Sequence, residues 1–494
     1  MITIGGRSHG TGSHMAIRSL CGAGVLLCCA CRSTPTPPDI GFVTAWPRVN
    51  YGLARAERLS PPGAARVAAY AAISLYEAWA AFSDSLQTLA GQLNGLTSLP
   101  KPEAGLRYDP ATVGVESQTT MLAELYRQGF RSTHTEISLL HDSLVDARRT
   151  QGVPAEVIRN SQEYGARLGR ALIAWAAQDS FAETRGRAFK MPVGPQYWVP
   201  TATVAQYRSE NLSAARDQVE FGNPTAKAKT GDVSERSLEV NRPKPLGTTL
   251  VPGIDPTRPV EPYWGHLRLF TLPNADTCQA PHPVEFSTAK GSPFYEQARR
   301  VYDTSRALND ERRTIAYFWA DNPGESGTPA GHWLSIVSQL AVQRHLSPER
   351  AVEAYTMVAM ATADAFITCW NLKYRVNLIR PVTYIQRYID PTWETLIITP
   401  PFPEYASGHA IQSAASAEVL TALLGDNTPF DDATHVSLGH AIRHYPSFRA
   451  AAAEAAMSRL YGGIHYPMGN ENGAAQGRCI GQRLIRTIHT RKRP

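Results

Sequence analysis

The stretch Thr356–Trp370 reads TMVAMATADAFITCW and is nearly featureless in polarity. A helix that is apolar on all faces has to be covered on all faces, so this segment belongs in the core of a bundle. Its pattern runs on in both directions and predicts one long helix over Pro348–Tyr374. A second such segment, Ala64–Phe82 (AARVAAYAAISLYEAWAAF), follows Ser60-Pro61-Pro62, which suits a helix start. Two wholly buried helices require many amphipathic ones around them. Thr119–Arg127, His134–Thr150 and Pro154–Asp179 carry helical spacing with charged outer faces. Ser292–Asn309, Asp310–Trp319, Ile411–Leu424, Ser447–Leu460 and Asn472–Ile488 extend the set. Strand signals are sparse and short, so the fold class is all-α, built of bundles packed side by side.

A chain of 494 residues with 43% hydrophobic content can bury a large core. Residues 39–221 read as an N-terminal helical part and 263–494 as a C-terminal helical domain. Between them, 222–262 is rich in Pro, Gly, Lys and Thr, lacks periodicity and reads as a loop-rich insertion. Residues 1–38 have the pattern of an export segment: a short basic start at Met15-Ala16-Ile17-Arg18, an apolar core from Leu20 to Ala30, then Cys31 and a proline-rich tether. It resembles a bacterial lipoprotein signal, with attachment to a membrane through lipid on Cys31 and an exported, periplasmic or membrane-anchored location. Gly12–Met15 (GSHM) resembles a cloning scar. The net charge of +6 fits an anionic ligand, and no basic run with interleaved aromatics points to nucleic acid. After residue 40 there is no CxxC pair, which argues against a disulfide framework or structural zinc and leaves room for one bridge among Cys278, Cys369 and Cys479.

Three clusters in the last third carry the chemistry. Lys373 is followed after six residues by Arg380-Pro381; Ser407-Gly408-His409 lies within PPFPEYASGHA; Ser458-Arg459 is followed after five residues by His465. Pro381 turns Arg380 off the preceding helix. Ser407 at a helix start, with Gly408 beside it, exposes backbone amides at the positive end of the helix dipole. Arg459 and His465 bracket a Tyr461-Gly462-Gly463 bend that can bring them to one point. Cationic forks, free amides and two imidazoles suit a tetrahedral oxyanion and chemistry at its central atom, placing the site in the C-terminal bundle.

The ordered pattern Lys-x6-Arg-Pro, Ser-Gly-His, Ser-Arg-x5-His resembles the signature of the vanadium-dependent haloperoxidase and type 2 acid phosphatase superfamily. DPTWETLIITPPFPEYASGHA, SRLYGGIHYPMGNENG, FWADNPGESGTPAGHW and SPPGAARVAAYAAI look like its bacterial haloperoxidase-like branch. The resemblance implies vanadate as cofactor, with His465 as its axial ligand. It further implies that Lys373, Arg380, Arg459, Ser407 and the Gly408 amide hold the equatorial oxygens, that His409 is the acid-base residue, and that Trp370 and Phe402 line the halide side. A peroxovanadate, held by a Lys373 hydrogen bond, would then oxidise halide with hydrogen peroxide. In the acid phosphatase alternative, His465 becomes a phosphohistidine with a phosphate ester as substrate. The family's aspartate four residues after the histidine ligand is Gly469 here, so His465 is expected to lack its orienting carboxylate unless Asn470 or Glu471 supplies it. Asp321 is a candidate partner for Arg459 or Lys373. A zinc pair at His440 and His444, close to His435, and a non-catalytic anion-binding protein are the remaining readings. Oligomeric state and halide preference are not legible.

Overall fold

The structure is a computed structural model that describes residues 36–201 and 258–492. The leader with Cys31 and the segment from Gly222 to residue 257 lie outside the described residues. The described residues from Thr36 onward form one compact unit. Among the described residues the fold is all-α, with helices α1 (Gly41–Ala56), α2 (Pro61–Ala80), α3 (Pro110–Leu125), α4 (Arg131–Thr150), α5 (Ala155–Ala176), α6 (Phe181–Thr184), α7 (Pro293–Arg306), α8 (Asp310–Phe318), α9 (Thr328–Gln343), α10 (Pro348–Val376), α11 (Pro381–Tyr388), α12 (Gly408–Leu424), α13 (Phe448–Tyr461) and α14 (Pro467–Thr487). The one sheet among the described residues is a hairpin, β1 (Phe430–Asp432) paired antiparallel with β2 (Arg443–Tyr445). No described helix is long and apolar enough to cross a membrane.

The two featureless helices sit at the centre, as their sequences require. α10 packs along both α2 and α12, and α14 lies against α12. The acid inside the apolar run is explained by its partners. The carboxylate of Asp364 accepts hydrogen bonds from the backbone amides of Phe270, Thr271 and Leu272 at 2.7, 2.9 and 3.3 Å. It thereby anchors a loop on the central helix, and burial raises its pKa to about 6. Serines begin several helices in the expected way: Ser60, Ser292, Ser347, Ser407 and Ser447 each accept from an amide of the first turn.

Four helices and the hairpin are not visible in the sequence pattern, the shortest being the single turn of α6. α1 carries an internal Pro47 that masks it, α9 begins in a Gly/Pro-rich stretch, and α11 follows directly on Arg380. α10 ends at Val376 with Asn377 in the left-handed region (φ 56°), so the chain leaves the helix earlier than Pro381 alone requires. One disulfide joins Cys278 to Cys479 on α14, while Cys369 is buried as a free thiol.

Candidate active site

His465 is placed by a reversal between α13 and α14. Gly462 has no room for a side chain, since a Cβ would lie 2.5 Å from Ile397, and Gly463 adopts φ +80°. The turn sets Arg459, in the last turn of α13, beside His465. Both line a cavity of about 60 Å³, together with His409, Gly408, Asp321, Phe366, Trp370 and Phe402. Trp370 and Phe402 pack with ring centroids 4.9 Å apart and form its apolar wall. Ser407, Gly408 and His409 begin α12, whose first amides have no partner within the helix.

Lys373, Arg380 and Ser407 stand behind the wall rather than in it. Lys373 Nζ donates to the carbonyls of Pro403 and Glu404 at 2.9 and 2.8 Å, leaving one of its three protons. Arg380 donates to the carbonyls of Phe402 and Ile464 at 3.0 and 2.8 Å, and its Nη1 lies 3.2 Å from His465 Nε2.

The expectation that Gly469 leaves His465 without a carboxylate is overturned. Glu404 Oε1 lies 2.8 Å from His465 Nδ1 and also accepts the Tyr466 amide at 3.0 Å. A Cβ on residue 469 would stand 2.3 Å from that same oxygen. The carboxylate has thus moved from the helix after the ligand to the loop before it, and glycine at 469 is the space it needs. Glu471 is exposed and plays no part. With Nδ1–H donating to Glu404, Nε2 keeps its lone pair for a ligand role.

The charges are badly matched for an isolated protein. Burial, with Arg380 and Lys373 close by, pushes His465 well below the usual imidazole range. Burial lowers Lys373 to about 7 and Arg459 to about 9, with Arg380 adding to both. Burial and then Arg459 bring His409 down to about 4. Glu404 is raised to about 7 by burial, against the pull of Lys373 and Arg380. Arg459 Nε is buried without a hydrogen-bond partner. Lys373, Arg380 and Arg459 outnumber the two carboxylates near them, Glu404 and Asp321, and a multiply charged oxyanion supplies both the missing charge and the acceptors.

Asp321 does not pair with Lys373, and it reaches Arg459 only through its charge. Its carboxylate contacts His332 Nδ1 at 3.1 Å and His435 Nε2 at 3.0 Å. The other nitrogen of His332 lies 2.8 Å from Asp432. Burial alone would lower the His332 pKa, but the two carboxylates overcome it and raise it to about 10. Stability from this ion triad is therefore full below the unfolded imidazole pKa of about 6.5 and is lost as pH rises toward 10. Denaturant unfolding should show the gap between wild type and His332→Gln narrowing between pH 6.5 and 10, by at most about 1.4 kcal/mol per unit. A gap constant over that range would contradict a charged His332. The zinc pair at His440 and His444 does not form: His440 follows a 3-10 turn, and His444, in β2, is exposed beside Asp431 at 2.6 Å.

Relatives share both the fold and this segment of chain. The family model described as the VCPO second helical-bundle domain matches residues 353–492, from within α10 to the end of the described chain. The crystal structure of a bacterial vanadium-dependent iodoperoxidase is 32% identical, with a TM-score of 0.76 over 93% of this chain and 99% of that one. The vanadium chloroperoxidase of Curvularia inaequalis is 23% identical over 274 residues, 42% of this chain, and the match takes in only 45% of that enzyme. A bacterial vanadium-dependent chloroperoxidase in its holo form shares the fold at 15% identity, with a TM-score of 0.62 over 88% of this chain and 94% of that one. Likeness at 32% identity along nearly the whole of the iodoperoxidase is enough to conclude that this chain belongs to the vanadium-dependent haloperoxidase family.

Proposed function

We propose that the protein is a vanadate-dependent haloperoxidase that oxidises a halide with hydrogen peroxide in the cavity between α10, α12 and α13. The observation that carries this reading is the buried cluster of Lys373, Arg380 and Arg459 around a neutral His465, an arrangement completed by an oxyanion. Vanadate, when bound, supplies a Lewis-acidic centre that activates hydrogen peroxide. His465 Nε2 is the ligand atom, fixed by the Glu404 bond to Nδ1. Arg459, Arg380, Lys373, Ser407 and the Gly408 amide hold the oxygens, each as a hydrogen-bond donor. His409, kept neutral by burial and by Arg459, would serve as the group that gives and takes protons at the bound oxygens. Trp370 and Phe402 keep one side of the cavity dry for the halide. The Cys278–Cys479 bridge supports an oxidising, exported location, as the leader pattern does.

Titrating vanadate-free protein with orthovanadate while following peroxide-dependent halide oxidation should give saturable activation. Phosphate shares the charge and shape of vanadate, so millimolar phosphate should slow reconstitution competitively. Arg459→Ala should weaken both anions together. No activation by vanadate, with phosphate-ester hydrolysis in the same preparation, would reject the oxidase reading. Additive, independent binding of the two anions would reject the shared site.

A further inference from the structure

The loop that brings Glu404 to His465 is held from two directions. Toward the cavity its backbone rests on the cations. Arg380 donates to the Phe402 carbonyl at 3.0 Å, and Lys373 to those of Pro403 and Glu404 at 2.9 and 2.8 Å. In the proposed function these same donors also serve the oxyanion. From the other direction the loop is anchored by Tyr405. Its ring is buried, and its hydroxyl donates to the carbonyl of Pro281 and accepts from Asn472 Nδ2 at 2.8 Å. Burial raises its pKa to about 12, so the donor is present at neutral pH.

Both partners of that hydroxyl are fixed to α14. Asn472 belongs to the helix, and Pro281 closely follows Cys278, whose disulfide ends on the helix at Cys479. Asn472 and Cys479 are two turns apart, so they share one face of α14 at roughly 10 Å along its axis. The same helix receives the Ser407 amide at Gly469 O, 3.0 Å away. The Glu404 carboxylate itself has few ties. Oε1 serves His465 Nδ1 and the Tyr466 amide, and Oε2 is buried with no hydrogen-bond partner. Where it stands on His465 is therefore set by where the loop places residue 404.

We infer that Tyr405 is a positioning residue for His465: its hydroxyl ties the loop to α14 and to the Cys278–Cys479 bridge, and so keeps the Glu404 carboxylate on Nδ1 while Lys373 and Arg380 turn to the bound oxyanion. The inference rests on the ligand role proposed for His465, but its tests do not need turnover. Tyr405→Phe keeps the ring and removes both hydrogen bonds. If Tyr405 acts through Glu404, its loss matters only while that carboxylate is present, which separates positioning from a general loosening of the fold.

The experiment is equilibrium dialysis of vanadate-free, disulfide-intact full-length protein against orthovanadate. Tyr405→Phe should weaken binding roughly tenfold, the size of two ordinary hydrogen bonds, while in a Glu404→Ala background the same change should cost less than about twofold. Nitrogen-15 NMR gives a second readout without vanadate. The Nδ1–H of His465, assigned with His465→Gln, should exchange with water about tenfold faster in Tyr405→Phe as the loop opens more often. Unchanged vanadate affinity in folded Tyr405→Phe overturns the inference, and so does an unchanged exchange rate. Equal losses with and without Glu404 overturn it too. If Tyr405→Phe does not fold, Asn472→Ala removes one of the two bonds at a half-buried position and carries the same tests, with an expected loss of roughly two- to tenfold. Weakened, Glu404-dependent vanadate binding in a protein that never oxidises halide keeps the positioning role and removes the haloperoxidase reading instead.

Discussion

His465→Ala should abolish vanadate-dependent halide oxidation, whereas His409→Ala should retain vanadate binding and slow turnover on the order of a hundredfold or more. The contrast follows from what each imidazole can offer. His465 is locked by Glu404 into the form whose Nε2 lone pair faces Arg380 and the cavity, and among the described residues no other neutral base occupies that place. Removing it leaves an anion held by hydrogen bonds alone. His409 has no such tie. It begins α12 at the cavity edge, 14% exposed, where it can reach bound oxygen without being needed to retain it. Equilibrium dialysis with vanadate, alongside the rate assay, separates the two roles. Full activity in His409→Ala, or tight vanadate binding in His465→Ala, would show that the assignment is wrong.

Glu404 and Gly469 behave as one unit. Glu404→Ala removes the partner of His465 Nδ1 and should weaken vanadate binding by about 10–100-fold. Gly469→Asp alone should be as damaging or worse, because its Cβ would meet Glu404 2.3 Å away and bury a second carboxylate beside the first. The double variant Glu404→Ala/Gly469→Asp removes the collision and returns a carboxylate to the same space. It should bind vanadate more tightly than either single variant, a coupling of the kind that a double-mutant cycle isolates. Additive losses in the double variant would mean that the two positions do not share one role. Glu471→Gln serves as the neutral control, since that side chain is exposed.

Much of the site was legible because the donors come in short local clusters: Ser407, Gly408 and His409 are consecutive, and Arg459 and His465 are joined by one turn. The central helices were legible for a related reason. A run such as Thr356–Trp370 has no polar face to present to water, whatever the rest of the chain does. Glu404 escaped notice because a family pattern directs attention to position 469, while the only local sign was an acid in the apolar stretch ITPPFPEYA. His332, His435 and Asp432 escaped because their meaning is purely spatial. His332 and Asp432 are 100 residues apart and join only when α9 packs beside the hairpin strand β1. α1 was hidden by Pro47, whose effect on local propensity is outweighed by burial of Phe42, Trp46 and Leu53.

The bridge between Cys278 and Cys479 spans 201 positions, and every residue assigned to the oxyanion lies between its ends. The catalytic segment is therefore a closed covalent ring rather than an open stretch of chain. A protease that cuts once inside the ring leaves both new ends on the same molecule, so Arg380 and His465 cannot drift apart as separate fragments. Oxidation also keeps the ring's ends together in the unfolded chain, which reduces the loop-closure entropy that assembly has to overcome. Reduction opens the ring, and after it a single cut between Arg380 and His465 is enough to separate them.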